Sequence, residues 1–99
     1  MGEVILKLND KNRGAFFLFD GDEQIGKMEI GISDKQLTAY HTEVAPRAEG
    51  KGLAKELLNS MVAYAREHGL KVIPLCPFVL AQFKRHPDEY ADIWLKQAL

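Results

Sequence analysis

The chain has 99 residues, and its 14 acidic and 13 basic side chains nearly cancel, so it lacks the clustered positive charge of a nucleic-acid-binding protein. No apolar run reaches the roughly 20 residues that a membrane-spanning helix requires, and we expect neither nucleic acid nor membrane as a partner. The length predicts one small domain over residues 1–99. A single cysteine, Cys76, cannot form an internal disulfide, which favours a reducing, cytoplasmic location.

The first half of the chain predicts four β-strands joined by short turns. Apolar and polar residues alternate over residues 3–8, and further strand patterns cover residues 15–19, 24–32 and 36–44. Asp20-Gly21 is a strong hairpin signal, because glycine adopts a positive φ at low cost. Consecutive strands with short connections predict an antiparallel meander.

The second half begins with a helical period. From residue 52 onward, large apolar side chains recur at three- and four-residue spacing, and Gly69 provides a stop signal for the helix. A short apolar strand over residues 70–75 follows. Because a helix precedes this strand, we expect it to join the fourth strand in parallel through a right-handed crossover.

Two helices are predicted after the fifth strand. The first begins near Pro77, since proline is well tolerated at the first helical position, and His86-Pro87 interrupts it. Asp88 is placed to cap a last helix that includes Ile93. The predicted order is therefore ββββαβαα, which is an α+β fold.

The segment between the fourth strand and the first helix has the composition of an anion site. Free N–H groups and the positive end of the dipole at a helix start attract anions. Gly50 and Gly52 allow close approach to the backbone, while Arg47 and Lys51 can add charge-assisted hydrogen bonds. Lys51 and Lys55 also stand where the helix dipole disfavours bases, which a bound pyrophosphate would reverse. The alternative is a solvated turn whose glycines only shape the backbone.

This segment resembles a known family motif. Arg47-Ala48-Glu49-Gly50-Lys51-Gly52 fits the Gln/Arg-x-x-Gly-x-Gly/Ala signature of the GNAT superfamily of acyl-CoA N-acyltransferases. The stretches 40–44, 74–78 and 85–87 are similar more narrowly to short, single-domain "YjdJ-type" GNAT-like proteins. The resemblance implies a GNAT-like fold and acetyl-CoA bound between the fourth and fifth strands.

The resemblance also implies which residues hold the cofactor. The pantetheine arm would pair with the backbone of the fourth strand, the pyrophosphate would bind the glycine loop and helix start, and Phe78 could flank the arm. The implied cofactor-binding residues are Thr42, Glu43, Val44, Arg47, Gly50, Lys51, Gly52, Leu53, Ala54 and Phe78.

Two departures from the family pattern stand out. Only residues 9–13 separate the first two strands, where larger members carry one or two helices that help to form the acceptor pocket. The acceptor side should therefore be open. Many members also carry a tyrosine on the helix after the fifth strand that protonates the leaving thiolate, and here Phe83 stands near that position.

Three residues are candidates for the chemistry. His41 and Glu43 share one face of the fourth strand and could relay a proton from an ammonium. Cys76 stands at the start of a helix, which makes a thiolate more available, and could carry an acetyl group, protonate the thiolate or fill space as a small apolar residue. His68 and His86 are expected to be structural, and the histidines have no metal-ligand spacing with Cys76, so we predict no metal site.

Three functional readings follow from these residues. The first is an N-acetyltransferase that moves an acetyl group from acetyl-CoA to a primary amine on a small molecule or a protein. The second is a non-catalytic acyl-CoA-binding module or sensor, and the third is a different nucleotide or phosphate binder. We expect a monomer, because no exposed apolar repeat indicates an interface.

Overall fold

A computed structural model describes residues 2–96 as one five-stranded sheet with two helices. The strand order is β1-β2-β3-β4-β5, the first four strands are antiparallel, and β5 runs parallel to β4. The predicted meander and its parallel fifth strand are therefore confirmed. The elements are β1 (Glu3–Leu8), β2 (Arg13–Asp20), β3 (Glu23–Ser33), β4 (Gln36–Val44), a 3₁₀ turn (Pro46–Ala48), α1 (Leu53–Glu67), β5 (Lys71–Pro74) and α2 (Pro77–Arg85).

The hairpin turns follow from a few residues that accept positive φ. Gly21 is at φ +63° and begins the two-residue loop between β2 and β3, because Asp20 pairs with Glu23. In the next hairpin Asp34 and Lys35 are both at positive φ, 51° and 63°, as a type I′ turn requires. Gly21 thus has the expected positive φ, and the next hairpin reaches positive φ at both central residues without glycine.

Both helices pack on the same face of the sheet. Helix α1 connects β4 to β5, and α2 connects β5 to the parallel bridge at Trp94 on its outer side, so both connections move across the sheet in the same direction. Because such crossovers are right-handed, both helices lie on one side of the sheet. The buried face of α1 joins a single apolar cluster with β2, β3, β4 and α2. No helix within residues 2–96 is long and apolar enough to cross a membrane. The helix residues in that cluster are Leu57, Leu58, Met61, Val62, Ala65, Val79 and Phe83.

The predicted last helix is wrong. The chain after α2 forms consecutive turns, and then Trp94 makes a single parallel bridge with Val72 of β5. The Val72 N–H donates to the Ile93 carbonyl (2.6 Å), and the Leu95 N–H donates to the Val72 carbonyl (2.9 Å). The outer edge of β5 is buried, and its backbone groups need partners. Those non-local bonds prevail over the local capping signal of Asp88.

Arg66 in the last turn of α1 holds this C-terminal segment in place. Its guanidinium donates to both carboxylate oxygens of Asp92, at 2.9 and 3.3 Å, and to the Glu89 carbonyl at 2.7 Å. The hydrogen bond from Arg66 is the main reason why the pKa of Asp92 lies below its ordinary value. Asp92, and not Asp88, is therefore the acid that fixes the segment.

Replacing Asp92 by asparagine is expected to change how stability depends on pH. A carboxyl group with a depressed folded-state pKa stabilises the fold above its unfolded-state pKa, and this stabilisation is lost as pH falls through the folded-state pKa. The wild type should therefore be more stable than Asp92→Asn at neutral pH, by less than about 1 kcal/mol for an exposed pair. The difference should vanish in strong acid. Urea unfolding at several pH values measures it, and a pH-independent difference would contradict the prediction.

Candidate active site

The two parallel strands separate at one end of the sheet. β4 and β5 are paired from Gln36↔Lys71 to Ala39↔Pro74, where β5 ends, while β4 continues to Val44. The Cys76 N–H still donates to the Ala39 carbonyl (2.8 Å), and the chain then enters α2. A gap therefore opens between the last five residues of β4 and the start of α2.

A β-bulge in β4 turns backbone groups toward this gap. Glu29 pairs with His41 and Ile30 with Ala39, so Tyr40 is an extra residue. Beyond the bulge, the Ala45 N–H donates to the carbonyl of Ile25 in β3 (2.8 Å). Because backbone groups alternate along a strand, those of Thr42 and Val44 point away from β3 and into the gap.

The glycine loop and the start of α1 form the other wall of a cleft of about 280 Å³. Gly50 is at φ +82°, and Gly52, the N-cap residue, is at φ +73°. A Cβ at either position would meet no atom within 4 Å. The first helical bond runs from the Glu56 N–H to the Gly52 carbonyl (3.3 Å), which leaves the preceding amides of α1 without helical partners. The lining residues are Thr42, Glu43, Val44, Ala48, Glu49, Gly50, Gly52, Leu53, Ala54 and Phe78.

Two of the residues expected to bind the cofactor, Arg47 and Lys51, do not line the cleft itself. They line a neighbouring, smaller pocket of about 120 Å³ that shares Ala48 and Leu53 with the cleft, and Arg47 is paired with Glu23, with 2.7 Å between Nη2 and Oε1. The remaining eight expected cofactor-binding residues all line the cleft. Sequence reasoning missed Ala48 and Glu49, although both belong to the quoted motif, because a loop motif does not show which side chains face inward.

Cys76 lies directly behind the cleft wall. It is the N-cap residue of α2 and is 2% exposed. Its Sγ is 3.2 Å from Oγ1 of Thr42, and either atom can donate the hydrogen. Thr42 lines the cleft and Cys76 does not, so the thiol is connected to the cleft through its hydrogen bond with the Thr42 hydroxyl. Sequence reasoning did not predict this contact between Thr42 and Cys76.

His41 and Glu43 lie on the opposite face of β4. Their side chains are more than half exposed, and Nε2 of His41 is 3.1 Å from Oε1 of Glu43. Lys27 and Glu29 on β3 form a second pair on this face, at 3.1 Å, and the hydrogen bond to Glu29 raises the pKa of Lys27. The expected common face of His41 and Glu43 is therefore present, but the sheet separates this pair from Cys76. Within residues 2–96, no three His, Cys, Asp or Glu side chains cluster as metal ligands would.

The family of this chain follows from comparison with known proteins. A family model described as GCN5-related N-acetyl-transferase matches residues 15–93. The chain belongs to this family. Among curated proteins, no sequence matches it.

Solved structures of GCN5-related N-acetyltransferases share the fold. A GCN5-like protein from Staphylococcus aureus, described as a candidate N-acetyltransferase, is 26% identical with a TM-score of 0.69, over 97% of this chain and 90% of that one. The ribosomal-protein-alanine N-acetyltransferase of Brucella melitensis is 18% identical with a TM-score of 0.64, over 91% and 67%. The ribosomal-protein-S18-alanine N-acetyltransferase of Escherichia coli is 15% identical (TM-score 0.62), over 67% of this chain and 43% of its own.

Helix α2 contains no tyrosine, and Phe83 stands near the position where the family resemblance implies one. Phe83 is fully buried and stacks on Tyr90, with 4.7 Å between the ring centroids. Tyr90 is 1% exposed, and burial is the main cause that raises its pKa. Phe83 has no ionisable group, so it cannot supply the acid that the family resemblance implies at this position.

Proposed function

We propose that the protein binds acetyl-CoA in the cleft between β4 and α1 and transfers the acetyl group to a primary amine. The observation that carries the proposal is the meeting of two anchoring surfaces in one cleft. The outward backbone groups of Thr42 and Val44 form one wall, and the free amides at the start of α1 form the other. Membership of the GCN5-related N-acetyltransferase family supports the same reading.

The residues of the cleft fit the chemical groups of coenzyme A. A pyrophosphate needs N–H donors, and the amides of Leu53 and Ala54 are free at the positive end of the α1 dipole. The amides of a pantetheine arm need a strand-like ladder, which Thr42 and Val44 offer, and Phe78 adds an apolar surface. Because Arg47 is paired with Glu23, backbone amides carry the anion site in this proposal.

In this proposal the candidate base and the candidate acid lie on opposite faces of β4. Bound acetyl-CoA would supply an activated acetyl thioester, whose carbonyl carbon forms a bond to the amine nitrogen while its bond to sulfur breaks. The exposed His41–Glu43 pair can accept the proton that the amine loses, directly or through water. Cys76 does not line the cleft but is hydrogen-bonded to Thr42 on the inner face, so a proton can pass from the thiol through the Thr42 hydroxyl to the departing sulfur.

A non-catalytic acyl-CoA-binding module is the alternative, and two observations favour it. Cys76 is only 2% exposed, and Phe83 stands where a proton-donating tyrosine is usual in the family. Turnover with an amine separates the two proposals, whereas cofactor binding does not. In either case we take residues 1–99 as a single domain in a reducing, cytoplasmic environment, and membership of the narrower YjdJ-type group stays a prediction.

A titration of acetyl-CoA and CoA against amide chemical shifts tests the cofactor site. We expect saturable shifts at Thr42, Val44, Gly50 and Ala54, and a difference between the two ligands near Cys76, where the acetyl end should lie. ADP alone should shift the glycine loop but leave Thr42 and Val44 unchanged. The absence of shifts at millimolar ligand would mean that the loop is only a turn, and the proposal would fall with it.

A further inference from the structure

Strand β1 leaves one edge of the sheet open. The opposite edge is closed by the bridge between Val72 and Trp94, but within residues 2–96 no strand pairs with the outward side of β1. The Asn9 N–H donates to the Arg13 carbonyl (2.8 Å), so odd-numbered residues of β1 direct their backbone groups to β2. The backbone groups of Val4, Leu6 and Leu8 therefore point outward.

This edge lacks two of the features that block pairing with another strand. It contains no proline and no bulge, both of which natural edge strands use to prevent association. Ile5, at its centre, is 37% exposed and is one of three large hydrophobic side chains that are exposed in the described residues. Glu3 and Lys7 flank Ile5 on the same face, opposite Phe19 and Ala15 of β2. Two opposite charges thus stand symmetrically around an apolar centre.

We propose that β1 pairs antiparallel with β1 of a second copy of this chain, around a two-fold axis that passes between the two Ile5 residues. Val4 of one copy then lies opposite Leu6 of the second copy, so their outward N–H and C=O groups form hydrogen-bonded pairs. Ile5 lies opposite Ile5. Glu3 lies opposite Lys7 of the second copy, and this charge pair occurs twice, as in any isologous interface.

The charges select this register from its neighbours. A shift of two residues in one direction places Ile5 opposite Lys7, and a shift in the other direction places it opposite Glu3, so each alternative leaves the charges without opposite partners. A shift of one residue would move every side chain to the wrong face. Oppositely charged and apolar cross-strand pairs each favour the central register.

The interface is small and distant from the cleft. One six-residue edge buries less than a standard stable interface. In place of the monomer expected from the sequence, we therefore expect a reversible dimer with a dissociation constant on the order of 10⁻⁴ M, so that the chain is monomeric at low concentration. The cleft lies at β4 and α1, and three strands separate β4 from the open edge of the sheet. Dimerisation should therefore leave ligand binding unchanged, and the two properties can be tested separately.

A charge-exchange experiment tests the register on the full chain. Sedimentation equilibrium from about 10 µM to about 1 mM should show the wild-type dimer, and Glu3→Lys and Lys7→Glu should each weaken it roughly tenfold, because like charges then face each other. Mixing the two variants should restore the wild-type dissociation constant, since every charge again meets its opposite. Lys11→Glu makes the same charge change in an exposed turn outside β1 and should have no effect.

Three results would overturn the proposal. One is a wild-type protein that stays monomeric up to about 1 mM. Another is a dimer that neither charge change weakens, which would place the interface elsewhere. The third is a mixture of the two variants that remains as weakly associated as each variant alone. Recovery in the mixture also shows that both variants are folded.

Discussion

Replacing Gly52 by alanine is expected to weaken acetyl-CoA binding at least tenfold. Gly52 caps α1 at φ +73°, a conformation that costs a residue with a Cβ about 1–2 kcal/mol. The new Cβ meets no protein atom within 4 Å, so it projects into open space beside the cleft, where it would obstruct a phosphate. Relief of the strain rotates the backbone at the N-cap, which turns the amides of Leu53 and Ala54 away from a bound anion. Isothermal titration calorimetry measures the loss.

Gly69→Ala provides the matched control. Gly69 lies just beyond the other end of α1, at φ +65°, and a Cβ there also meets nothing within 4 Å. The two substitutions should therefore destabilise the fold by similar amounts, about 1–2 kcal/mol. Only the Gly52 substitution should weaken binding. Equal binding by both variants and the wild type would contradict the assignment of the glycine loop as the pyrophosphate site.

Most of the fold could be predicted from local patterns. The strands alternate between polar and apolar residues, and α1 has an apolar stripe that ends at a glycine with positive φ, Gly69. The cleft was predictable for a related reason. Its two walls are the end of β4 and the loop that follows it, so the residues that line it are close in sequence.

The features that could not be predicted depend on partners far away in the sequence. The last helix was expected because Asp88 is a good cap, but the buried edge of Val72 and the guanidinium of Arg66 decide the conformation of that segment. The pairing of Arg47 with Glu23 is also non-local, and no local pattern in the sequence indicates it. Both features depend on contacts between residues far apart in the sequence.

The bulge at Tyr40 explains why the candidate catalytic residues divide into two groups. It changes the register of β4, so that Thr42 faces the helices and meets Cys76, while His41 and Glu43 remain together on the open face. A bulge leaves no clear signal in a sequence that alternates on both sides of it. The resulting arrangement places a candidate acid on one face of the strand and a candidate base on the other.

Replacing Cys76 by alanine is expected to lower the rate of acetyl transfer by roughly 100-fold or more, the usual contribution of a positioned acid or base. Affinity for CoA should stay within about threefold of the wild type, because the thiol does not line the cleft. A substitution that removes an interaction made only in the transition state lowers kcat and leaves ground-state binding unchanged. Release of free CoA with a panel of primary amines measures the rate.

The Thr42 hydroxyl allows the role of the thiol to be separated from packing. Thr42→Val keeps the shape of the side chain but removes its hydrogen bond to Cys76, whereas Thr42→Ser keeps the hydroxyl. If Cys76 handles a proton, Thr42→Val should slow transfer and shift its pH profile, and Thr42→Ser should restore both. If Cys76 only fills space, Cys76→Ala should lose stability but keep the wild-type rate. A wild type that binds CoA but transfers to no amine would favour the acyl-CoA-binding module, because the cleft would then hold the cofactor without an acid able to complete the reaction.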